Sequence, residues 1–232
     1  MKKLKKFTIS KTTILGLLAM FAVLVSCQVN VPMNAEYLNK PSKVGIFVNV
    51  NDPKKHREGS QGLLDLAVTS GDKYQPLLDL AKEKIVFKND LTAIYSEALK
   101  AKGKEVIIID EIFDPKTATK FKGDKAEGKK YAYYDLRNLK EKYGVDDVIF
   151  VNVNWGVMIS YYSMIETGRG GYIYLDNNVV NTADNTLYFA QNNVKMEIIK
   201  GKWNTPPNYD NAIGKITEAV NKALDAEKNI FK

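Results

Sequence analysis

The residue types that do chemistry are scarce in this chain. His56 is the only histidine and sits in Lys54-Lys55-His56-Arg57-Glu58. A serine hydrolase would need it beside a nucleophile such as Ser60 or Ser70 and an orienting acid, and no nucleophile-elbow sequence is present. A solvated loop histidine among like charges, which disfavour its protonation, accounts for it better. One His and one Cys make no zinc-ligand spacing. Asp110, Glu111 and Asp114 fall at the carboxyl end of Glu105–Asp110, where open α/β sheets commonly bind ligands. Paired acids there would hold a cation or act as acid and base, but spacing assigns no third group, and a turn before Pro115 explains them as a solvated strand end. Gly168-Arg169-Gly170-Gly171 fits neither the phosphate-loop nor the dinucleotide fingerprint and lies between strands, as a hairpin turn does. The lysine-rich stretch 120–130 is diluted by Asp124 and Glu127 and reads as a solvated loop. These observations predict no enzyme, no metal and no cofactor.

A different feature stands out. Ile-Phe-Val-Asn-Val-Asn occurs twice, at 46–51 and 149–154, with unlike flanks that argue against duplication. If the copies are the first and third strands of a βαβαβ run, they lie as parallel neighbours. Alternation then puts Val48, Val50, Val151 and Val153 on one face and Asn49, Asn51, Asn152 and Asn154 on the other. Buried amides need partners, so these should bond each other or nearby backbone. The upper end of that seam, Asn51 and Asn154 with Asp110 and Glu111, is the expected ligand edge. Tyrosines are in surplus around the second half of the sheet (Tyr131, Tyr133, Tyr134, Tyr161, Tyr162, Tyr172 and Tyr174), as strand packing or as an interface.

The elements that would position these residues begin after a leader. A basic start precedes an uncharged apolar run, Ile14–Val25, of 12 residues. That is well short of the roughly 20 that cross a bilayer as a helix. Basic region, short apolar region and small-residue end make a signal peptide over 1–26. Leu24-Val25-Ser26-Cys27 resembles the lipobox of bacterial lipoproteins, which makes Cys27 the lipid attachment site. The whole chain carries 34 basic and 27 acidic residues, a net +7. Residues 1–26 hold five of the lysines and no acid, which leaves 29 against 27, or +2. A nearly balanced domain has no field to hold a polyanion, so nucleic acid is excluded as a partner. With Cys27 lipidated no disulfide remains, and the domain must rest on its own core.

Residues 27–42 read as the lipidated cysteine and a tether, spanning roughly 20 Å as a coil. Over 43–232 the pattern predicts one α/β (α+β) domain: a mixed sheet with a βαβαβ start, an antiparallel meander and a C-terminal helix. Expected elements are short helices around Leu63–Ala67 and Leu77–Ala81, a helix at Leu91–Lys102 capped by Asn89 or Asp90, a strand at Glu105–Asp110, and a helix at Tyr134–Tyr143. Next come a strand at Val148–Trp155 and a hairpin of Ile159–Glu166 and Gly171–Leu175 around Thr167–Gly170. Turns at Asp176–Asn178 and Asn181–Asn185, strands at Thr186–Ala190 and Val194–Lys200, and a helix at Tyr209–Lys228 complete the chain.

The strand–helix order, the segment DLRNLKEKYGVDDVIFVNVNWG, the run ending in DNTLYFA and the helix after WNTPPNYDNAIGKI together resemble bacterial lipoproteins with a TolB amino-terminal-like domain. That group includes the curli-secretion (CsgG-like) lipoproteins and conserved small surface lipoproteins. The chain departs from the pore-forming members in lacking a pair of amphipathic strands for a membrane barrel. The resemblance implies a lipid-anchored, non-enzymatic envelope module that contacts other envelope proteins or further copies of itself. Gln28 after the cysteine, where Asp would retain an enteric lipoprotein at the inner membrane, implies the outer membrane, facing the periplasm or the cell surface. The alternative is a binder of a small ligand or cell-wall fragment at the carboxyl edge of the sheet.

Overall fold

Apolar, β-branched runs at both copies of the repeat set two strands side by side at the centre of a sheet. The computed structural model describes residues 30–231, so the expected signal peptide and Cys27 lie outside the described residues. The strands are β1 (Lys43–Val50), β2 (Lys54–Glu58), β3 (Glu105–Ile108), β4 (Asp147–Tyr162), β5 (Ile165–Asn181) and β6 (Leu187–Ile198). They form one mixed six-stranded sheet ordered β3-β1-β4-β5-β6, with β2 also on β4. The fold is a single α/β domain that does not close into a barrel. β1 and β2 run along the same side of β4 as one interrupted strand. Val50 faces Val153 and Lys54 faces Gly156, so one strand spends a residue more than the other between these pairs. That bulge at Asn51-Asp52-Pro53 turns the lower strand. Gly156, at φ +130°, accommodates it, because a Cβ there would lie 2.3 Å from the Lys54 carbonyl.

One face of the sheet is covered by α3 (Gln75–Lys84), α4 (Lys88–Ala101) and α6 (Asp210–Glu227), and the other in part by α5 (Asn138–Tyr143) and the loop before it. Ile46, Leu91, Leu99, Ile149 and Ile216 are all buried in the helix-covered core. Each such side chain contributes about 1.5–3 kcal/mol. In α6 the buried residues are Ala212, Ile216, Ala219, Val220, Ala223 and Glu227, with Ile213 and Leu224 at the margin. The inward face is therefore rich in small residues, which let the helix approach β5 closely.

Several expected boundaries move. α4 starts at Lys88 with Phe87 as its cap residue rather than Asn89 or Asp90. α5 starts only at Asn138, because Tyr134 bridges to Lys120 and the Leu136 N–H donates to Asn185 Oδ1 at 3.0 Å. The expected turn at Thr167–Gly170 is strand: β4 and β5 continue to a tight reversal at Ser163-Met164, with Ser163 at φ +53°. Asp176–Asn178 is also strand, whereas the reversal within Asn181–Asn185 is present. β6 is one strand where two were expected.

The expected tether is docked from Val31 onward. Val31 pairs with Ala190 on β6, and α1 (Ala35–Asn39) is capped by Asn34, whose side chain accepts from the Glu36 and Tyr37 N–H groups. Tyr37 is buried against Tyr188, ring centroids 5.1 Å apart. Buried Lys104 donates to the Tyr37 and Lys40 carbonyls at 2.7 and 2.8 Å and to Ser42 Oγ at 3.0 Å. The ammonium thus takes up carbonyls at the end of α1 that would otherwise be left unpaired.

Candidate functional site

The repeat behaves as its alternation dictates. Ile46–Val50 pairs in parallel with Ile149–Val153, residue for residue, and the Asn51 N–H donates to the Val153 carbonyl at 3.0 Å. Val48, Val151 and Val153 enter the helix-covered core, with Val50 at its margin. Their neighbours form a chain of amides on the other face. Asn49 Nδ2 donates to Asn152 Oδ1 at 2.8 Å, and Asn51 Nδ2 lies 3.0 Å from Asn152 Oδ1 and 3.2 Å from Asn154 Oδ1. Trp155 Nε1 donates to the Asn51 carbonyl at 2.7 Å.

Register carries this seam across the sheet. Asn152 stands opposite Asp176, and Asp176 opposite Asn192. Asp176 accepts from Asn178 Nδ2 at 3.0 Å, and burial pushes its carboxyl above the usual range. The loop 109–137 rises over the upper part of this face, where Phe113 and Tyr134 pack edge-on against Phe150. Between loop and sheet is an open groove of about 740 Å³, floored by Asn152, Tyr174, Asp176 and Asn178 and rimmed by Lys120 and Lys122. A second hollow of about 610 Å³ opens beside Phe47, Phe113 and Arg137.

Of the four residues expected at the ligand edge, the fold brings two together. Asn51 and Asn154 share the amide chain. Asp110 is instead exposed and paired with Lys88 at 2.7 Å, which holds its carboxyl below the usual range. Glu111 turns to Lys142 and the Tyr143 hydroxyl, which lower it likewise. Two acids with separate partners do not converge on one ligand.

His56 lies in β2 rather than in a loop. Its Nε2 is 3.2 Å from the Trp155 carbonyl, its ring is 4.8 Å from that of Tyr172, and burial lowers its pKa. The expected tyrosine cluster is divided. Tyr131, Tyr133 and Tyr134 are on the loop, Tyr172 and Tyr174 are on the open face, Tyr161 is in the core, and Tyr162 is at the hairpin end. Among the described residues no group of three His, Cys, Asp or Glu could hold a metal ion, and no helix is long and apolar enough to cross a membrane.

Two polar features escaped the sequence reading. Asp176 and Asn178 floor the groove, a placement that the alternation of Tyr172, Tyr174, Asp176 and Asn178 with Ile173, Leu175, Asn177 and Val179 does encode. The other is inside the core. Glu227 is 1% exposed and accepts from the Tyr95 hydroxyl (2.5 Å), Asn177 Nδ2 (2.9 Å) and Asn193 Nδ2 (2.6 Å).

No family model matches the chain, and no curated protein matches its sequence. Solved structures do match it. It is similar to the hypothetical protein CT253 from Chlamydia trachomatis at 8% identity, over 82% of this chain and 98% of that one, with a TM-score of 0.37. Lipoprotein GNA1162 from Neisseria meningitidis matches at 13% identity, over 80% of this chain and 99% of that one, with a TM-score of 0.28. A PelC dodecamer from Paraburkholderia phytofirmans matches at 7% identity, over 83% and 92% of the two chains, with a TM-score of 0.28. At such identities and TM-scores the function has to be read from this chain's own residues.

Proposed function

We propose that this protein is a lipid-anchored, non-enzymatic module of the bacterial envelope that works by contact with other proteins. The lipid is on Cys27, and the membrane is the outer one, with the domain facing the periplasm or the cell surface. The observation that carries the reading is an uncovered apolar patch at the far end of the sheet. α2 (Leu63–Val68) buries none of its residues, and Leu63 and Leu64 are 87% and 78% exposed. It is held beside the β4–β5 turn by Gln61 Nε2 donating to the Ser163 carbonyl (2.8 Å) and Ser163 Oγ donating to Asp65 (3.1 Å). Exposed Tyr162, Met164 and Ile165 join the patch there. Such surfaces mark interaction sites on otherwise soluble domains.

The patch lies away from Val31, where the described chain first docks on the sheet. Val31 sits at Ala190, level with Asn178 and Phe150, twelve residues along β4 from Tyr162. That is about 40 Å of strand. Photocrosslinking in intact cells tests the reading. A photoreactive residue at Leu64 or Ile165 should give a discrete protein adduct that exposed Lys125 does not, and Cys27→Ser should release the protein from the membrane fraction. Equal crosslinking at all three positions, or full membrane retention of Cys27→Ser, would overturn it.

A further inference from the structure

Among the described residues β6 has no strand partner on its outer edge beyond Ala190. Ala190 exchanges two backbone hydrogen bonds with Val31 (2.9 and 3.0 Å) on the side away from β5, while the Ile199 N–H donates inward to the Arg169 carbonyl at 2.9 Å. Pairing with β5 runs without a shift from Ala190 to Ile198. Alternate residues of a regular strand aim both backbone groups to one side, so Asn192, Val194, Met196 and Ile198 aim theirs outward. Among the described residues no backbone partner meets those groups. The side chains of Val194, Met196 and Ile198 stand on the open face, 49%, 37% and 61% exposed. A bare apolar edge of this kind is a template for another strand.

We infer that the strand it takes is its own copy: two molecules join edge to edge through β6, antiparallel about a two-fold axis at Met196. The inference rests on the reading of the chain as a contact module and names one of its partners. Sequence selects the register, because outward residues must meet outward residues. An axis at Lys195 sets that lysine opposite itself, and an axis at Glu197 does the same for the acid, each a like-charge pair that destabilises a ladder. An axis at Val194 would bring Ile198 against Ala190, which Val31 already occupies. An axis at Ile198 lies at the strand's end.

The axis at Met196 alone satisfies every position. Val194 then faces Ile198 of the second copy, Met196 faces Met196, and Lys195 faces Glu197 twice. The exposed apolar side chains become a cross-strand ladder on the open face. The charges pair on the other face, where Glu197 already holds Lys222 at 2.7 Å. The contact is isologous and closes as a dimer. The two Val31 positions end about 40 Å apart along the strands.

Disulfide trapping in envelopes carrying the lipidated protein tests the register. Cys27 is the only native cysteine and carries the lipid on this reading, so an introduced cysteine is the only free thiol. Met196→Cys should give about tenfold more disulfide dimer than Asn192→Cys, since only at 196 do the two Cα atoms fall within bridging range. Adding Lys195→Glu or Glu197→Lys to Met196→Cys should abolish the dimer, and co-expressing those two variants should restore it as a heterodimer. Equal trapping at 192 and 196, a monomer at both, or indifference to the charge changes overturns the inference. Crosslinks from Leu64 and Ile165 would be untouched by any of these results, so the dimer and the wider contact reading fail separately.

Discussion

Gly171→Ala is expected to destabilise the domain by about 3 kcal/mol, at the upper end of the usual cost of overpacking a core. Gly171 lies mid-strand in β5, directly beneath α6. A Cβ there would sit 2.3 Å from the Lys215 carbonyl oxygen and 2.4 Å from the Ile216 nitrogen. Both are backbone atoms of the helix, so no side-chain rotation relieves the clash. The helix must lift, and it carries Ala212, Ile216, Ala219 and Val220 with it out of the core. Gly214 supplies the control on the same helix. It is exposed, with nothing within 4 Å of an added Cβ, and Gly214→Ala should stabilise by about 0.5–1 kcal/mol through helix propensity alone. Urea unfolding of the detergent-solubilised protein reads both. A Gly171→Ala midpoint equal to that of the wild type would mean that α6 does not pack on β5 as described.

The second large effect concerns Glu227. Removing it by Glu227→Ala leaves the Asn177 amide without an acceptor, while the Tyr95 hydroxyl keeps only Asn177 Oδ1 at 3.0 Å and Asn193 Nδ2 only the Ala223 carbonyl at 3.2 Å. Tyr95 and Asn177 are themselves buried. The expected loss is about 3 kcal/mol, from the orphaned Asn177 amide and two weakened bonds together with a cavity.

Glu227→Gln separates charge from shape. Burial raises the Glu227 carboxyl above the usual carboxylate range, and hydrogen bonds from Tyr95, Asn193 and Asn177 oppose that shift without cancelling it. A carboxyl with a raised folded pKa favours the folded state fully below the unfolded pKa. That contribution is lost as pH rises through the folded value. Wild type should therefore lose ground against Glu227→Gln as pH climbs from about 4.5 toward neutrality. Unfolding titrations of both proteins across that range measure the gap. A gap that is flat with pH, or that widens in favour of wild type, would show that the carboxyl is not raised.

Much of the architecture was legible in the chain because it follows from local periodicity. Two copies of IFVNVN with the same alternation share a buried face only at an even offset, and the βαβ order makes them parallel. The valine face and the asparagine seam both follow from that. The pairing of Asn51 with Asn154 was therefore readable, whereas the separation of Asp110 from Glu111 was not. It depends on Lys88 and Lys142, which approach from elements distant in sequence. Tertiary structure also decided the points where local chemistry gave the opposite signal. Gly168–Gly171 and Asp176–Asn178 have turn composition, yet pairing with β4, and with β6 from Gly170 onward, holds them extended, and α6 needs the Cβ missing at Gly171. Residues 30–42 carry no periodic pattern, yet Val31, Tyr37 and Lys104 tie them to the body. Glu227 sits one residue from the end of the predicted helix, and only Tyr95, Asn177 and Asn193 make it a core residue. Alternation and helical spacing are properties of neighbours in sequence, so the chain alone determines them. Whether a glycine is a turn, or a charge is buried, depends on atoms brought in from dozens of residues away, and only the folded packing sets that.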